Sequence, residues 1–418
     1  MEKLKIGLIG LGTVGSGVYK SLQDFDNVEI VKIAVRNINK PRTVDVPTEM
    51  LTDNPYDVVN HPEIDVVVEL MGGVEPAWNY IKTALENGKH IVTANKELLA
   101  KKGEELFNLS EKHNRVVLYE AAIAGGIPVI MPIKTILAGN KINKIQGILN
   151  GTTNYILTKM DVNGASYEEV LKEAQELGYA ETDPTGDVEG FDAAYKITTL
   201  ATISFNSRIK FENVYREGIT KIRKEDMQKA NELGYKIKLI ASATIDENNN
   251  ADVRVHPMLV PKNNMLAHID YVTNAVLISG HPIGSIVLSG PGAGEFPTAS
   301  SVIGDILSIA REWKTTEYLL PMMRCHHHST ANPVNIDDTY NKYYFSITAP
   351  NAIGIIAKIG TICANKNISL SSILQKGVSD DNTAEITVIT EECLERSIKE
   401  VVAELDNCTL NSLIRVMA

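Results

Sequence analysis

Three glycines, Gly10, Gly12 and Gly15, constrain this chain more than any other feature, because they follow the apolar run Leu4–Ile9 and open a helix-periodic stretch, Thr13–Leu22. A strand that turns directly into a helix needs a residue free of side-chain strain at the turn. It needs a second where the backbone approaches an anion, and a third where helix and strand pack closely. Gly10, Gly12 and Gly15 fill those roles in order, with Thr13 and Val14 between the last two. The helix N-terminus then presents unpaired N–H groups to a pyrophosphate. The reading is a dinucleotide-binding turn; a glycine turn that holds no ligand is the alternative.

The rest of the first third alternates. Val28–Val35, Asp65–Leu70, His90–Thr93 and Val116–Tyr119 read as strands, and Pro76–Glu86 and Glu97–His113 as helices. Unbroken β-branched runs such as Val66-Val67-Val68 suit strands covered on both faces, so the pattern predicts an α/β domain with a doubly wound, Rossmann-type parallel sheet. NAD binders usually carry an acidic residue at the end of the second strand. Here Arg36 and Asn37 follow it, with Lys40 and Arg42 nearby. A guanidinium suits a ribose 2′-phosphate through charge-assisted hydrogen bonds, which favours NADP(H) while NAD(H) stays possible. Thr93-Ala94-Asn95-Lys96 stands at a strand's carboxyl end, where such sheets bind ligands. Lys96 there contacts nicotinamide ribose or substrate, or is only a solvated charge.

Further along, Ser166 with Glu169 forms a capping-box start for a helix ending near Gly178, and Phe191–Ile203 reads as another helix. Lys236–Ile245, Asp252–Val260, Tyr271–Ser279 and Ser285–Leu288 read as strands, which predicts an α+β domain with a largely antiparallel sheet. Thr298–Arg311 reads as a helix returning to the first domain. After a linker that includes Cys325-His326-His327-His328 and Ala331–Thr339, the tail runs strand Tyr343–Thr348, helix Gly354–Asn365, strands Ser369–Gln375 and Ala384–Thr390, helix Glu392–Leu405 and strand Ser412–Met417. That βαββαβ order is ferredoxin-like. The expected division is 1–135 (completed by about 298–315), 136–297, a linker at 316–341, and 342–418.

Composition narrows the function classes. At 418 residues the chain exceeds one compact core, and 44% hydrophobic with 22% charged residues excludes a largely disordered chain. Asp plus Glu number 52 against 41 Lys plus Arg, a net charge of −11 without a basic run, which argues against nucleic-acid binding. No apolar stretch reaches the roughly 20 residues a membrane span needs. The four cysteines, Cys325, Cys363, Cys393 and Cys408, lack paired spacing, and the start leads straight into a strand pattern, so reduced thiols in a cytoplasmic protein are expected. Adjacent Cys and His at 325–328 seldom converge on one metal without partners elsewhere.

The chemistry concentrates in Gly178–Lys196. Glu181, Asp183, Asp187, Glu189 and Asp192 precede Lys196, and Asp192 and Lys196 stand four apart on one helix face. Ala193, Ala194, Ile197 and Leu200 flank the lysine, which points to partial burial rather than a surface ion pair. A lysine held beside carboxylates can give a proton to the alkoxide formed when hydride reaches an aldehyde, and the other carboxylates suit a substrate ammonium.

These segments, together with Glu69–Gly73, Glu120–Pro128, Asn150–Tyr155, Gly290–Gly294 and Pro297–Ala299, resemble homoserine dehydrogenase in order over about residues 1–312. The tail, through Ala349–Gly354, is similar to an ACT domain, a small-molecule-sensing module, with Asn351 where that family often has Asp. The resemblance implies NAD(P)-dependent interconversion of L-aspartate 4-semialdehyde and L-homoserine, on the route to threonine, methionine and isoleucine. It implies that Lys196 transfers the proton, Asp192 holds it or the substrate hydroxyl, and Glu181 binds the substrate ammonium. Asp187, Tyr179, Gly151, Thr152 and Lys96 would surround the substrate, and Thr93 and Gly292 would join the cofactor site. Glu120, with the carbonyls of Ile123, Gly125 and Ile127, corresponds to a monovalent cation site, usually sodium. A homodimer or homotetramer and an amino-acid effector such as threonine at the ACT module are also implied. Two alternatives stay open: a dehydrogenase of another small amino acid, and a non-catalytic NADP-binding amino-acid sensor. An acylating semialdehyde dehydrogenase is disfavoured, since it needs a nucleophilic cysteine and none precedes Cys325.

Overall fold

The Leu4–Ile9 run becomes an inner strand of a six-stranded parallel sheet in a computed structural model that describes residues 2–314, 320–325, 327 and 329–417. Across that sheet the order is Leu51–Thr52, Val28–Ala34, Leu4–Ile9, Val66–Glu69, His90–Thr93 and Val117–Leu118, with every neighbouring pair parallel. Leu4, Ile6, Leu8, Val66, Val67 and Val68 are completely buried, as strands covered on both faces require. The chain order reverses beside Leu4–Ile9, creating the crevice at the strands' carboxyl ends where doubly wound sheets take ligands. Register fixes what meets there. Ile9 pairs with Glu69 and Glu69 with Thr93, so Gly10 and the residues after Thr93 leave the sheet at one edge.

The helix Glu295–Glu312 packs on Thr13–Leu22, where a Cβ at Gly17 would lie 2.7 Å from the Glu295 carbonyl and 3.1 Å from Ala299. Several elements escaped the sequence reading, among them the helix Lys224–Glu232 and two that frame the site. The strand Lys141–Ile148 and the helix Gly151–Asn163 run between the first domain and the capping-box helix Tyr167–Glu176. The helix is buried continuously from Thr153 to Thr158, so it has no polar stripe to betray its period.

The second sheet runs Gly284–Pro291, Thr273–His281, Lys141–Ile148, Tyr235–Ile245, Asn250–Pro261, Thr409–Val416, Tyr340–Pro350, Thr383–Thr390 and Leu370–Lys376. The tail therefore shares a sheet with the central region: Met258 and Leu259 pair in parallel with Arg415 and Val416. The expected linker also carries structure, because Asn332-Pro333 pairs with Asn250-Ala251; residues 315–319, 326 and 328 lie outside the described residues. The last helix begins at Glu395 rather than Glu392, since Cys393-Leu394 first pairs with Tyr340-Asn341. Among the described residues no helix is long and apolar enough to cross a membrane.

Candidate active site

At the glycine turn, Gly10 has φ +103°, and a Cβ on Gly15 would fall 2.3 Å from the Gly10 carbonyl. Around Gly12 nothing approaches within 4 Å of such an atom, leaving room for a ligand against the backbone. A cavity of about 980 Å³ opens here, lined by Gly10, Gly12, Thr13, Arg36, Lys40 and Arg42 among others. Arg42 faces its own loop, donating to the carbonyls of Ile38 (2.7 Å) and Lys40 (2.9 Å). Arg36 is exposed and makes no hydrogen bond or ion pair among the described residues. The glycine turn, the roomy crevice and the cationic far end fit a dinucleotide. Val14 is half-buried as the second residue of the helix.

The lysine-bearing helix, Phe191–Phe205, starts from Gly190 in the left-handed region at φ +78°. Lys196 Nζ donates to Asp192 Oδ2 at 2.6 Å and to the Leu149 carbonyl at 2.7 Å, and both side chains are buried. The other oxygen, Asp192 Oδ1, meets Lys96 Nζ at 2.5 Å. Lys96 opens the helix Lys96–Lys112, capped by Asn95, whose Oδ1 accepts from the Leu98 amide at 3.1 Å. Because Thr93 ends its strand level with Ile9 and Glu69, this ion pair brings Lys196 to the edge that carries the glycine turn. Asn150 Nδ2 ties the cluster together, donating to Asp187 Oδ1 (2.7 Å) and Asp192 Oδ2 (2.9 Å).

Burial pushes the Lys196 ammonium below its ordinary range and the nearby Lys96 charge adds to that, while Asp192 opposes both. For Asp192, burial alone would raise the carboxyl, but Lys196 and then Lys96 outweigh it and hold it well below the usual carboxylate range. Asp192 in turn holds Lys96 up, against its burial. Asp187 is raised by burial and then by repulsion from Asp192. The site thus keeps Asp192 ionised and Lys196 easier to deprotonate than an ordinary lysine.

Glu181 and Tyr179 are exposed on the loop before this helix, and Gln175 Nε2 donates to the Glu181 carbonyl at 3.0 Å. The Glu181 charge is the smallest of the causes that raise Lys96, which puts it within electrostatic reach of the lysine cluster. Gly151 begins the helix capped by Asn150, and Thr152 Oγ1 donates to the Tyr179 carbonyl at 2.7 Å. Thr93 is completely buried with its hydroxyl donated to Glu69 Oε2 at 2.7 Å, so its side chain belongs to the sheet rather than to a ligand. Gly292 sits where a Cβ would overlap Asn274 at 2.0 Å.

Glu120 behaves differently from a side-chain cation ligand. Its carboxylate accepts from the amides of Val129 (2.5 Å), Ile130 (2.8 Å) and Met131 (2.7 Å). The neighbouring turn holds Gly125 at φ +59° with its carbonyl accepting from Ser301 Oγ at 2.6 Å. A hard monovalent cation at this turn would therefore draw on main-chain carbonyl oxygens and not on the Glu120 side chain.

Two residues escaped the sequence reading. Asn150 lay inside a quoted motif, and the helix-capping rule would have singled it out. Asn274, 1% exposed beneath Gly292 and beside Gly151, carries no signal in a strand-like run, and neither carboxamide atom finds a hydrogen bond among the described residues. A buried amide without partners costs about 1–3 kcal/mol. Of the Cys325–His328 stretch, Cys325 Sγ accepts from Lys134 Nζ at 2.9 Å, while His326 and His328 lie outside the described residues. Among the described residues no group of three or more His, Cys, Asp and Glu is placed to hold a metal ion.

The sequence matches the homoserine dehydrogenase family over residues 128–307, the NAD-binding domain of homoserine dehydrogenase over 10–141, and the ACT domain over 343–409. A homoserine dehydrogenase of Synechocystis sp. is 41% identical over 432 residues, spanning 99% of this chain and 100% of that one. This chain belongs to the homoserine dehydrogenase family. The crystal structure of a homoserine dehydrogenase from Thiobacillus denitrificans aligns with a TM-score of 0.93 at 38% identity, covering 100% of this chain and 99% of that one. A hyperthermophilic archaeal homoserine dehydrogenase in complex with NADPH aligns with a TM-score of 0.65 at 26% identity, over 75% of this chain and 99% of that one. As a homoserine dehydrogenase, the chain is an NAD(P)-dependent oxidoreductase with a C-terminal ACT domain, and the alternative of a non-catalytic sensor is not favoured.

Proposed function

We propose that the enzyme interconverts L-aspartate 4-semialdehyde and L-homoserine with Lys196 managing the proton of the reacting oxygen. The bound dinucleotide supplies or accepts the hydride. In the reducing direction the aldehyde carbon gains hydride, the carbonyl electron pair moves to oxygen, and that oxygen takes a proton from Lys196 or from a water it orients. In the oxidising direction the hydroxyl proton passes to neutral Lys196. Asp192 keeps the lysine aimed, Glu181 fixes the substrate ammonium, and Asp187, Tyr179, Gly151, Thr152 and Lys96 shape the remaining surface. The observation that carries this reading is a single buried carboxylate, Asp192, joined both to Lys96 from the glycine-turn edge and to Lys196. Mixing the enzyme with L-homoserine and NADP should raise absorbance at the reduced-nicotinamide band, and Lys196→Ala should slow the rise by about 10²- to 10⁴-fold. A flat trace with wild type would defeat the reading.

NADP(H) is the preferred cofactor on this reading, because Arg36 offers an exposed guanidinium and no carboxylate occupies that position. Gly10, Gly12, Thr13, Val14 and Gly15 would hold the pyrophosphate end, with Thr93 and Gly292 contributing backbone. A sodium ion would take the carbonyls of Glu120, Ile123, Gly125 and Ile127. The reaction belongs to threonine, methionine and isoleucine synthesis in the cytoplasm, in a homodimer or homotetramer whose ACT module takes an amino-acid effector, threonine first. The proposed division is a dinucleotide domain to about residue 135, completed by about 298–315, a substrate and dimerisation domain at 136–297, and the ACT module from 342.

A further inference from the structure

The last strand of the ACT module places Arg415 deep inside the molecule. It is 5% exposed and forks onto Glu395, with Nε to Oε2 at 2.9 Å and Nη2 to Oε1 at 2.5 Å. Two contacts leave the module: Nη1 donates to Glu217 Oε2 at 2.9 Å, an oxygen that also accepts from Tyr215 at 3.2 Å, and Nη2 reaches the Tyr215 hydroxyl at 3.4 Å. Glu217 is fixed at its backbone too, donating its amide to the Val255 carbonyl at 2.8 Å. From there the chain runs straight onto the active-site turn. A Cβ at Gly218 would lie 2.4 Å from the Val188 carbonyl, and the Ile219 amide donates to that carbonyl at 2.9 Å. Thr220 Oγ1 reaches Glu189 at 3.1 Å, and the Arg216 guanidinium stacks 3.5 Å over the Phe191 ring. The gripped turn carries Asp187, bound to Asn150, and launches the helix of Asp192 and Lys196.

We propose that Arg415 is a positioning residue for the Asp187–Gly190 turn, acting from the ACT module through Glu217 and the tightly packed Gly218. No slack separates the two ends, so loss of the Arg415–Glu217 contact frees the turn that sets Asp187 and Asp192. The effect on substrate binding rests on the reaction proposed above; the effect on the turn does not. The test uses full-length Glu217→Ala, which leaves Arg415 paired with Glu395, and Arg415→Lys as the conservative companion. Glu217→Ala should raise KM for L-homoserine roughly 3- to 30-fold, the range for a coupling residue remote from the ligand, with KM for NADP unchanged. Amide hydrogen exchange across Val188–Phe191 should quicken, and Arg415→Lys should fall between wild type and Glu217→Ala. A lower Tm with wild-type KM and wild-type exchange would overturn the proposal, as would no change at all. Faster exchange at the turn in a protein whose wild type leaves homoserine untouched would keep the positioning role and overturn the reaction instead.

Discussion

Around Arg415 one guanidinium meets two carboxylates, Glu395 and Glu217; around Asp192 one carboxylate meets two ammonium groups, Lys196 and Lys96. In both clusters the central charge is buried and bonded on both sides, yet their protons behave in opposite ways. At Arg415 burial opposes the charge, but Glu395 overcomes it and holds the guanidinium protonated; at Glu395 burial likewise loses to Arg415, and the carboxyl is held down. That cluster locks. At Asp192 the surplus is cationic, and burial together with the neighbouring Lys96 pushes Lys196 down. At Arg415 the paired charges outweigh burial, whereas at Lys196 burial prevails with help from Lys96.

The most severe way to break this contrast is Asp192→Asn, which takes from the two ammonium groups the carboxylate they share. Removing one partner of a buried pair costs about 3–5 kcal/mol, so thermal melting should fall steeply and turnover should vanish. A stable, active Asp192→Asn enzyme would show that the cluster is not held by its central charge. Lys96→Met sharpens the contrast by removing the surplus cation. Lys196 then becomes harder to deprotonate, so the acid limb of homoserine oxidation should move to higher pH, with kcat/KM down about 10- to 100-fold for the lost charged contact. A limb that stays in place would remove Lys96 from the explanation.

Arg36, outside both clusters, sets the scale for a solvent-facing charge. Arg36→Ala should raise KM for NADP by about tenfold, leave KM for NAD alone and shift neither stability nor the pH limb; equal changes with both cofactors would contradict a 2′-phosphate contact. The smallest effect belongs to Glu385, where the ACT sheet meets Arg223 and Lys229. Burial pushes this carboxyl up, but hydrogen bonds from Lys229, Ser346 and Arg223 prevail and bring it from 4.5 to about 2. A depressed carboxylate stabilises the fold above its unfolded value and loses that contribution as pH falls through its folded value. Wild-type Tm should therefore drop between about pH 4.5 and about pH 2, and Glu385→Gln should drop less over the same window; parallel curves would assign the acid sensitivity elsewhere.

What the sequence disclosed follows the range of the forces involved. The parallel sheet was readable because Val66–Val68 needs cover on both faces, and Ser166 with Glu169 formed the anticipated box, with the Ser166 amide donating to Glu169 at 2.8 Å. The Asp192–Lys196 pair was readable from its one-turn spacing amid apolar neighbours. Lys96 meeting the same carboxylate was not, since no local rule links positions so far apart; its place at a strand's carboxyl end pointed to the ligand crevice but not to Asp192. The short pairing of Met258-Leu259 with Arg415-Val416 left no periodic trace, so the ACT module read as separate when it extends the central sheet. Thr93, which the resemblance puts at the cofactor site, is buried with its hydroxyl closed on Glu69, a contact between two strands that no local pattern announces.

The pH dependence of L-homoserine oxidation, followed in wild type beside Lys196→Ala, tests the role of the buried lysine most directly. In wild type the rate should fall as acid protonates Lys196; the variant should be slower by about 10²- to 10⁴-fold and show no such limb. A variant that keeps the wild-type limb would place the proton-accepting group somewhere other than Lys196.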